Sequence, residues 1–304
     1  MIQAKHLERR YGNFSAVNDV SFKIARGEIV GLLGHNGAGK TSIMKMLTGY
    51  LEPTSGEILV DGLAIGQHTK EIQAKMGYLP ENCPVWPEMT VIDYLDYQAS
   101  LHNIPLAQRK AAIANAIGRT ALKDKATAPI QTLSRGYRQR VGVAQAILHA
   151  PEIVILDEPT NGLDPTQIRQ MRTLIKELAK TATVIVSTHI LQEVQAVCER
   201  VLILRAGRLV VNAKLAELQK DDALLLSVNN DIKQLLRDLP QVNEVEELPS
   251  LPQRKRYRIK TQPDNAPHIA RAVNGANCEL YELTTERHDL ETLFAQVNEE
   301  VQHV

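Results

Sequence analysis

The chain has 304 residues, enough for one full-sized α/β domain and a smaller appendage. Lys plus Arg and Asp plus Glu both number 35, so no net charge directs the protein to nucleic acid or anionic lipid. The three cysteines, Cys83, Cys198 and Cys278, suit neither a disulfide framework nor a zinc site, and the longest apolar runs fall short of the ~18 residues a spanning helix needs, so a reducing cytosol is expected and any membrane role is expected to lie with a partner.

In chain order, Met1 to Gly12 carries Lys5, Arg9 and Arg10 and lacks the apolar run of a secretory signal. From Gln3 to Leu33 short β-rich stretches are broken by Tyr11-Gly12-Asn13 and Ala25-Arg26-Gly27 and read as strands, the last being Glu28 to Leu33. A Gly-rich turn follows, then a helix over Lys40 to Leu47, with Ile43, Met46 and Leu47 at helical spacing, then a strand over Gly56 to Asp61. Between Thr90 and about Ala150 the period becomes helical, opened by Thr90 and Asp93 at capping distance, which predicts an inserted helical subdomain. Alternation then resumes: strands over Ile153 to Leu156, Thr183 to Ser187 and Val201 to Leu204, with helices over Gln167 to Ala179 and Leu191 to Cys198, a pattern that predicts a parallel-rich sheet.

After about Leu218 a separate α+β domain, 219–304, is expected: strands over Leu224 to Val228, Arg256 to Thr261 and Glu279 to Thr284, and helices over Asp231 to Leu239 and Ala266 to Asn274. Its order suggests a ferredoxin-like or related fold with a last helix over Asp289 to Glu299. The basic run Arg254-Lys255-Arg256 with Arg258 reads as a solvated strand face in preference to an anion site.

Chemistry concentrates in the first domain. Gly34-His35-Asn36-Gly37-Ala38-Gly39-Lys40-Thr41, followed by Ser42, satisfies G-x-x-x-x-G-K-[ST] between a strand and a helix. Its glycines let backbone N–H groups turn toward phosphates, Lys40 reaches the β/γ-phosphates, and the Thr41 hydroxyl helps to hold Mg²⁺. Ile153 to Leu156 runs into Asp157 and Glu158, suited to supporting Mg²⁺ and polarising an attacking water; a plain surface turn closing a strand at Pro159 is the alternative. No N-K-x-D base-reading motif occurs, which disfavours a GTPase.

Leu133-Ser134-Arg135-Gly136-Tyr137, then Asp157-Glu158-Pro159-Thr160-Asn161-Gly162-Leu163-Asp164, and His189 in Ser187-Thr188-His189, together resemble the signature, magnesium strand, D-loop and switch histidine of ABC ATPases. The resemblance covers about residues 2–215 and implies a P-loop NTPase fold of ABC type, with ATP and Mg²⁺ as ligands. It further implies two such domains meeting head to tail, so that Ser134 and Gly136 of one bind the γ-phosphate held by the other, with Asp164 in the same junction. By resemblance Tyr11 stacks on adenine, Glu158 and His189 are catalytic, and Thr41, Asp157 and Glu81 lie at the metal. Taken alone, Ser134 is equally a helix N-cap, Tyr11 a packed edge residue and His189 a polar strand end. Glu81 stands where many relatives carry glutamine, and Arg135 and Tyr137 where many carry glycine and glutamine, which puts direct metal contact by Glu81 in question. The pattern resembles exporter-type subunits described as gliding-motility-associated, and implies a membrane-spanning permease on another chain, coupled near Glu81 to Glu88, and a place on the cytoplasmic face of the inner membrane. The rival is a non-transport ABC ATPase acting on ribosomes or DNA, whose second ATPase half or long insertions this chain lacks.

Overall fold

The computed structural model describes residues 2–218, 223–251 and 254–286. The chain divides into two compact units, 1–215 and 216–304, slightly before the boundary expected after Leu218.

The first unit opens with β1 (Ile2–Tyr11), β2 (Phe14–Ile24), β3 (Ile29–Leu33) and helix α1 (Lys40–Leu47). Next come β4 (Ser55–Val60), β5 (Leu63–Ala64), α2 (Thr69–Gln73) and β6 (Met76–Leu79), then the helices α3 (Val91–Leu101), α4 (Leu106–Arg119) and α5 (Arg135–Ile147). The remainder alternates: β7 (Ile153–Asp157), α6 (Pro165–Leu178), β8 (Thr183–Thr188), α7 (Leu191–Val197), β9 (Arg200–Arg205) and β10 (Arg208–Lys214). The inserted helices begin as the sequence predicts, with Thr90 accepting from the Asp93 N–H at 3.2 Å and donating its hydroxyl to the Asp93 carboxylate at 2.6 Å.

Two sheets form the unit. One is antiparallel, ordered β2-β1-β4-β5; the other is ordered β10-β9-β3-β8-β7-β6 and is parallel except for the β10-β9 pair. In the parallel sheet β3, β7 and β8 are buried along their whole length, as expected of strands covered on both faces. Val30, Leu32, Ile155 and Ile185 of these strands join Ile43, Met44, Met46 and Leu47 of α1 and the inner face of the antiparallel sheet in one core. Because β3, β8 and β7 are neighbours running the same way, the segments leaving their C-terminal ends come out side by side, where open α/β sheets place their ligands.

A four-residue helix, α8 (Leu215–Leu218), spans the division between the units. The second unit holds β11 (Ala223–Val228), α9 (Lys233–Arg237), β12 (Glu244–Leu251), β13 (Arg254–Lys260), α10 (Ala266–Gly275) and β14 (Leu280–Glu286). All pairings are antiparallel in the order β12-β13-β11-β14, the split βαββαβ arrangement of ferredoxin-like folds. Leu224, Leu226, Val228, Val245, Tyr257 and Ile259 pack against Ile232, Leu236, Ile269 and Val273 to give the unit its own core. Two cations of the basic run on β13 are paired from neighbouring strands, Lys255 with Glu247 at 2.9 Å and Arg258 with Glu286 at 2.6 Å and Glu246 at 3.5 Å, while Arg254 lies over the Tyr281 ring at 4.1 Å. Strand β12 was not expected from sequence, nor were β6 and β10; the helix expected over Asp289 to Glu299 lies outside the described residues.

Candidate active site

The loop between β3 and α1 is folded by its glycines. Gly39 has φ 103°, and a Cβ there would lie 2.5 Å from the Ala16 carbonyl oxygen; a Cβ on Gly34 would lie 2.7 Å from that of Leu204. With those neighbours so close, the loop wraps onto the first turn of α1, where the Ala38 N–H donates to His35 O at 3.1 Å. Lys40, the first residue of α1, is 6% exposed. Its ammonium donates to Gly34 O at 2.7 Å and His35 O at 3.3 Å and lies 3.6 Å from Glu158 Oε1. A buried ammonium needs such oxygens, and a phosphate group offers the same ones with more charge.

Beside this loop lies a cleft of about 330 Å³. It brings together Tyr11, His35, Asn36, Gly37, Gly39, Lys40, Thr41, Ser42, Glu81 and Glu158 of the residues singled out from sequence. Gly34 and Ala38 belong to the loop without lining the cleft. Phe14 and Ala16, not anticipated, line it as well. Tyr11 and Phe14 face each other across the β1-β2 turn, and the Arg9 guanidinium lies 4.7 Å from the Tyr11 ring centroid. Both aromatic rings are exposed, the Phe14 residue to 62%.

Asp157 ends β7 and is fully buried. Its register partner Ser187 donates to Oδ1, whereas Oδ2 is buried without a hydrogen-bond partner. A carboxyl oxygen buried without a partner is costly and fits a hard cation or its bound water; with the Thr41 hydroxyl and the Glu81 carboxylate in the adjoining cleft, the donors are all oxygen, the set Mg²⁺ prefers. Burial and then the Asp157 charge push the neighbouring Tyr78 phenol above its ordinary pKa.

Glu158 follows in the left-handed region, φ 49°, with its N–H held by Ser187 O at 3.0 Å. It is 5% exposed; Oε1 faces Lys40, and Oε2 lies 3.0 Å from Nδ1 of His189, which donates to the carboxylate. Left-handed backbone on a non-glycine residue is strained and persists where the surroundings hold it. Three strand ends thus deliver an ammonium, two carboxylates and an imidazole to one place.

Ser134, Gly136 and Asp164 do not line the cleft. Ser134 caps α5, accepting from the Tyr137 N–H at 3.5 Å, and Asp164 caps α6, accepting from Thr166 and Gln167 N–H groups at 2.9 and 2.8 Å. The Gln167 side chain also packs on Gly136, where a Cβ would lie 2.2 Å from its Oε1, and so joins the two caps. Arg135 lies over Gly162 while remaining exposed, and Arg140 approaches the half-buried Tyr137 ring at 5.4 Å, so both unusual signature residues have neighbours in the same chain. Sequence reading missed Phe14, Ser187, Gln167 and Glu193; of these Phe14, a bulky apolar residue directly across a two-residue turn from Tyr11, and Gln167, three residues after Asp164 as in a capping box, left a local signal.

The family model described as ABC transporter matches residues 17–161. A Bacillus subtilis protein described as an uncharacterized ABC transporter ATP-binding protein, YdbJ, is 32% identical, covering 97% of this chain and 94% of the relative. The bacitracin transport ATP-binding protein BcrA of Bacillus licheniformis is 36% identical over 72% of each chain. Among solved structures, an ATP-binding subunit of an ABC transporter superposes with a TM-score of 0.66 at 29% identity, covering 72% of this chain and 91% of that one. The dimeric bacterial cassette MJ0796 does so with a TM-score of 0.66 at 25% identity, covering 71% and 99%.

Proposed function

Because this chain belongs to the ABC transporter family as an ATP-binding, ATP-hydrolysing subunit, we propose that its cleft hydrolyses ATP with Glu158 as the residue that polarises the attacking water and His189 as the residue that holds Glu158. Lys40 and the loop N–H groups from Gly34 to Ser42 bind the phosphates, and Tyr11 carries the adenine. Thr41 and Asp157, with Glu81 beside them, hold Mg²⁺, which when bound offsets charge on the phosphate oxygens. The observation that carries this reading is the meeting of Lys40, Glu158 and His189 next to the unpartnered Asp157 oxygen.

Ser134, Gly136 and Asp164, capped and packed away from their own cleft, serve the cleft of a second copy, so the working unit is a head-to-tail dimer closed by ATP and reopened by hydrolysis. Likeness to a dimeric cassette supports that arrangement. Among the described residues no helix is long and apolar enough to cross a membrane, so the passage is supplied by a permease on another chain, met near Glu81 to Glu88 on the cytoplasmic face of the inner membrane. Relatives named for bacitracin transport and linearmycin resistance favour the exporter branch, and the gliding-motility subunits are the nearest reading within it. The second unit, with its own core, is proposed to stabilise the dimer or tune hydrolysis.

The test is to isolate the tagged protein from its own cells in mild detergent. Stoichiometric recovery of a polytopic membrane protein is expected; recovery with ribosomes or DNA and without such a protein overturns the transport reading.

A further inference from the structure

The turn that carries His189 is fixed by a group to which the reading above assigns no role. Glu193 lies on α7, is 4% exposed, and accepts the Thr188 hydroxyl at Oε2 at 2.8 Å. The same hydroxyl accepts the Ile190 N–H at 3.1 Å, and the Glu193 N–H donates to Ile190 O at 3.2 Å. Both neighbours of His189 are therefore tied to one residue, while His189 itself reaches Glu158 at 3.0 Å. The other Glu193 oxygen is buried without a partner. A carboxylate in that setting is costly, and an apolar side chain of similar size would fill the space with less penalty.

We infer that Glu193 is a positioning residue for ATP hydrolysis: through Thr188 and Ile190 it sets the direction of His189, and through His189 that of Glu158. This rests on the roles proposed above for Glu158 and His189. Glu193 touches neither the nucleotide loop nor the cleft, so it acts on turnover and leaves ATP binding alone.

The experiment compares Glu193→Ala, Glu193→Gln and Thr188→Val in the full chain, with and without His189→Ala, by steady-state ATPase assay and by equilibrium binding of a fluorescent ATP analogue. Glu193→Ala and Thr188→Val are expected to lower kcat about tenfold or more with KM and Kd within about twofold, the size of effect a small misplacement of a catalytic group produces. Glu193→Gln keeps an oxygen that accepts from Thr188 and is expected to recover most of kcat. In the His189→Ala background Glu193→Ala should cost less than about twofold more, because the two act in series. An undiminished loss in that background, or a loss seen in KM with kcat intact, overturns the inference. If Glu193→Ala does not fold, Thr188→Val carries the same comparison. Full turnover by His189→Ala alone would instead overturn the site reading on which the inference rests.

Discussion

Replacing Glu158 by glutamine tests the centre of the site, because the substitution keeps shape and removes charge. In the structure one carboxylate oxygen lies 3.6 Å from the Lys40 ammonium and the other 3.0 Å from His189 Nδ1. The amide oxygen can still accept from His189, but the amide nitrogen then faces Lys40, so the attraction between Glu158 and Lys40 is lost. Freed of that competitor, Lys40 has more to gain from the β/γ-phosphates, and the γ-phosphate no longer meets an adjacent carboxylate; ATP should bind as tightly as before or more tightly. Turnover should fall by about 10² to 10⁴, the usual worth of a positioned base, which is roughly 3–5 kcal/mol of barrier. Phosphate release under saturating ATP measures the first quantity, equilibrium binding the second, and size exclusion with ATP reports the closed dimer expected to accumulate. Turnover above about a tenth of the wild-type rate, well short of the loss a base accounts for, refutes the assignment of Glu158.

Lys40→Ala removes the only ammonium lining the cleft among the described residues and should weaken ATP binding at least tenfold, the worth of a charge-assisted contact of about 1.5–3 kcal/mol; unchanged binding would count against the phosphate site. Tyr11→Ala and Phe14→Ala should each raise the Kd for ATP while leaving inhibition by inorganic triphosphate unaltered, with base stacking worth about 1–3 kcal/mol per ring; equal losses for both ligands would remove the two aromatics from base binding. His149 stacks on His102 with centroids 3.9 Å apart, and burial pushes its pKa down from 6.5 to about 4. The unfolded chain then binds the extra proton first, so this site contributes stability that is full above about pH 6.5 and lost as pH falls toward 4. Melting temperature should drop less between pH 7 and pH 5 in His149→Gln than in the wild type, and equal drops would refute the sign.

What the sequence discloses follows from where each constraint is local. The phosphate loop is legible because backbone N–H groups must come from consecutive residues, and β3, β7 and β8 because strands covered on both faces must be apolar throughout. Strand β6 hides behind Gly77, which belongs there because α5 approaches so closely that a Cβ would lie 1.9 Å from Ala146 O. Strand β10 alternates half-buried and exposed residues and its apolar run stops after Leu209-Val210-Val211, and β12 is an edge strand whose Glu244, Glu246 and Glu247 answer the cations of β13, so neither shows the long apolar run of a buried strand. In the site, the caps Ser134 and Asp164 are readable from neighbours three residues away, whereas Ser187 on Asp157 depends on the register of two strands distant in sequence, and Thr188 on Glu193, though close in sequence, joins a strand end to the next helix and matches no regular period.

The end of β8 also explains why Glu158 is strained. Ser187 and His189 lie two residues apart, so a regular strand points them to one side and Thr188 to the other. The hydrogen bonds follow that rule: Thr188 turns to Glu193 on α7, while Ser187 and His189 take Asp157 and Glu158. Asp157 and Glu158, however, are consecutive, and a continued strand would send them to opposite faces. The left-handed φ of 49° at Glu158 breaks the alternation and brings its carboxylate to the side where Asp157 and Lys40 already are. A conformation of that kind costs about 1–3 kcal/mol. It is held against that cost by Ser187 O on the Glu158 N–H and by Lys40 and His189 on the two carboxylate oxygens, so the groups that fix the backbone are also the groups proposed for the chemistry.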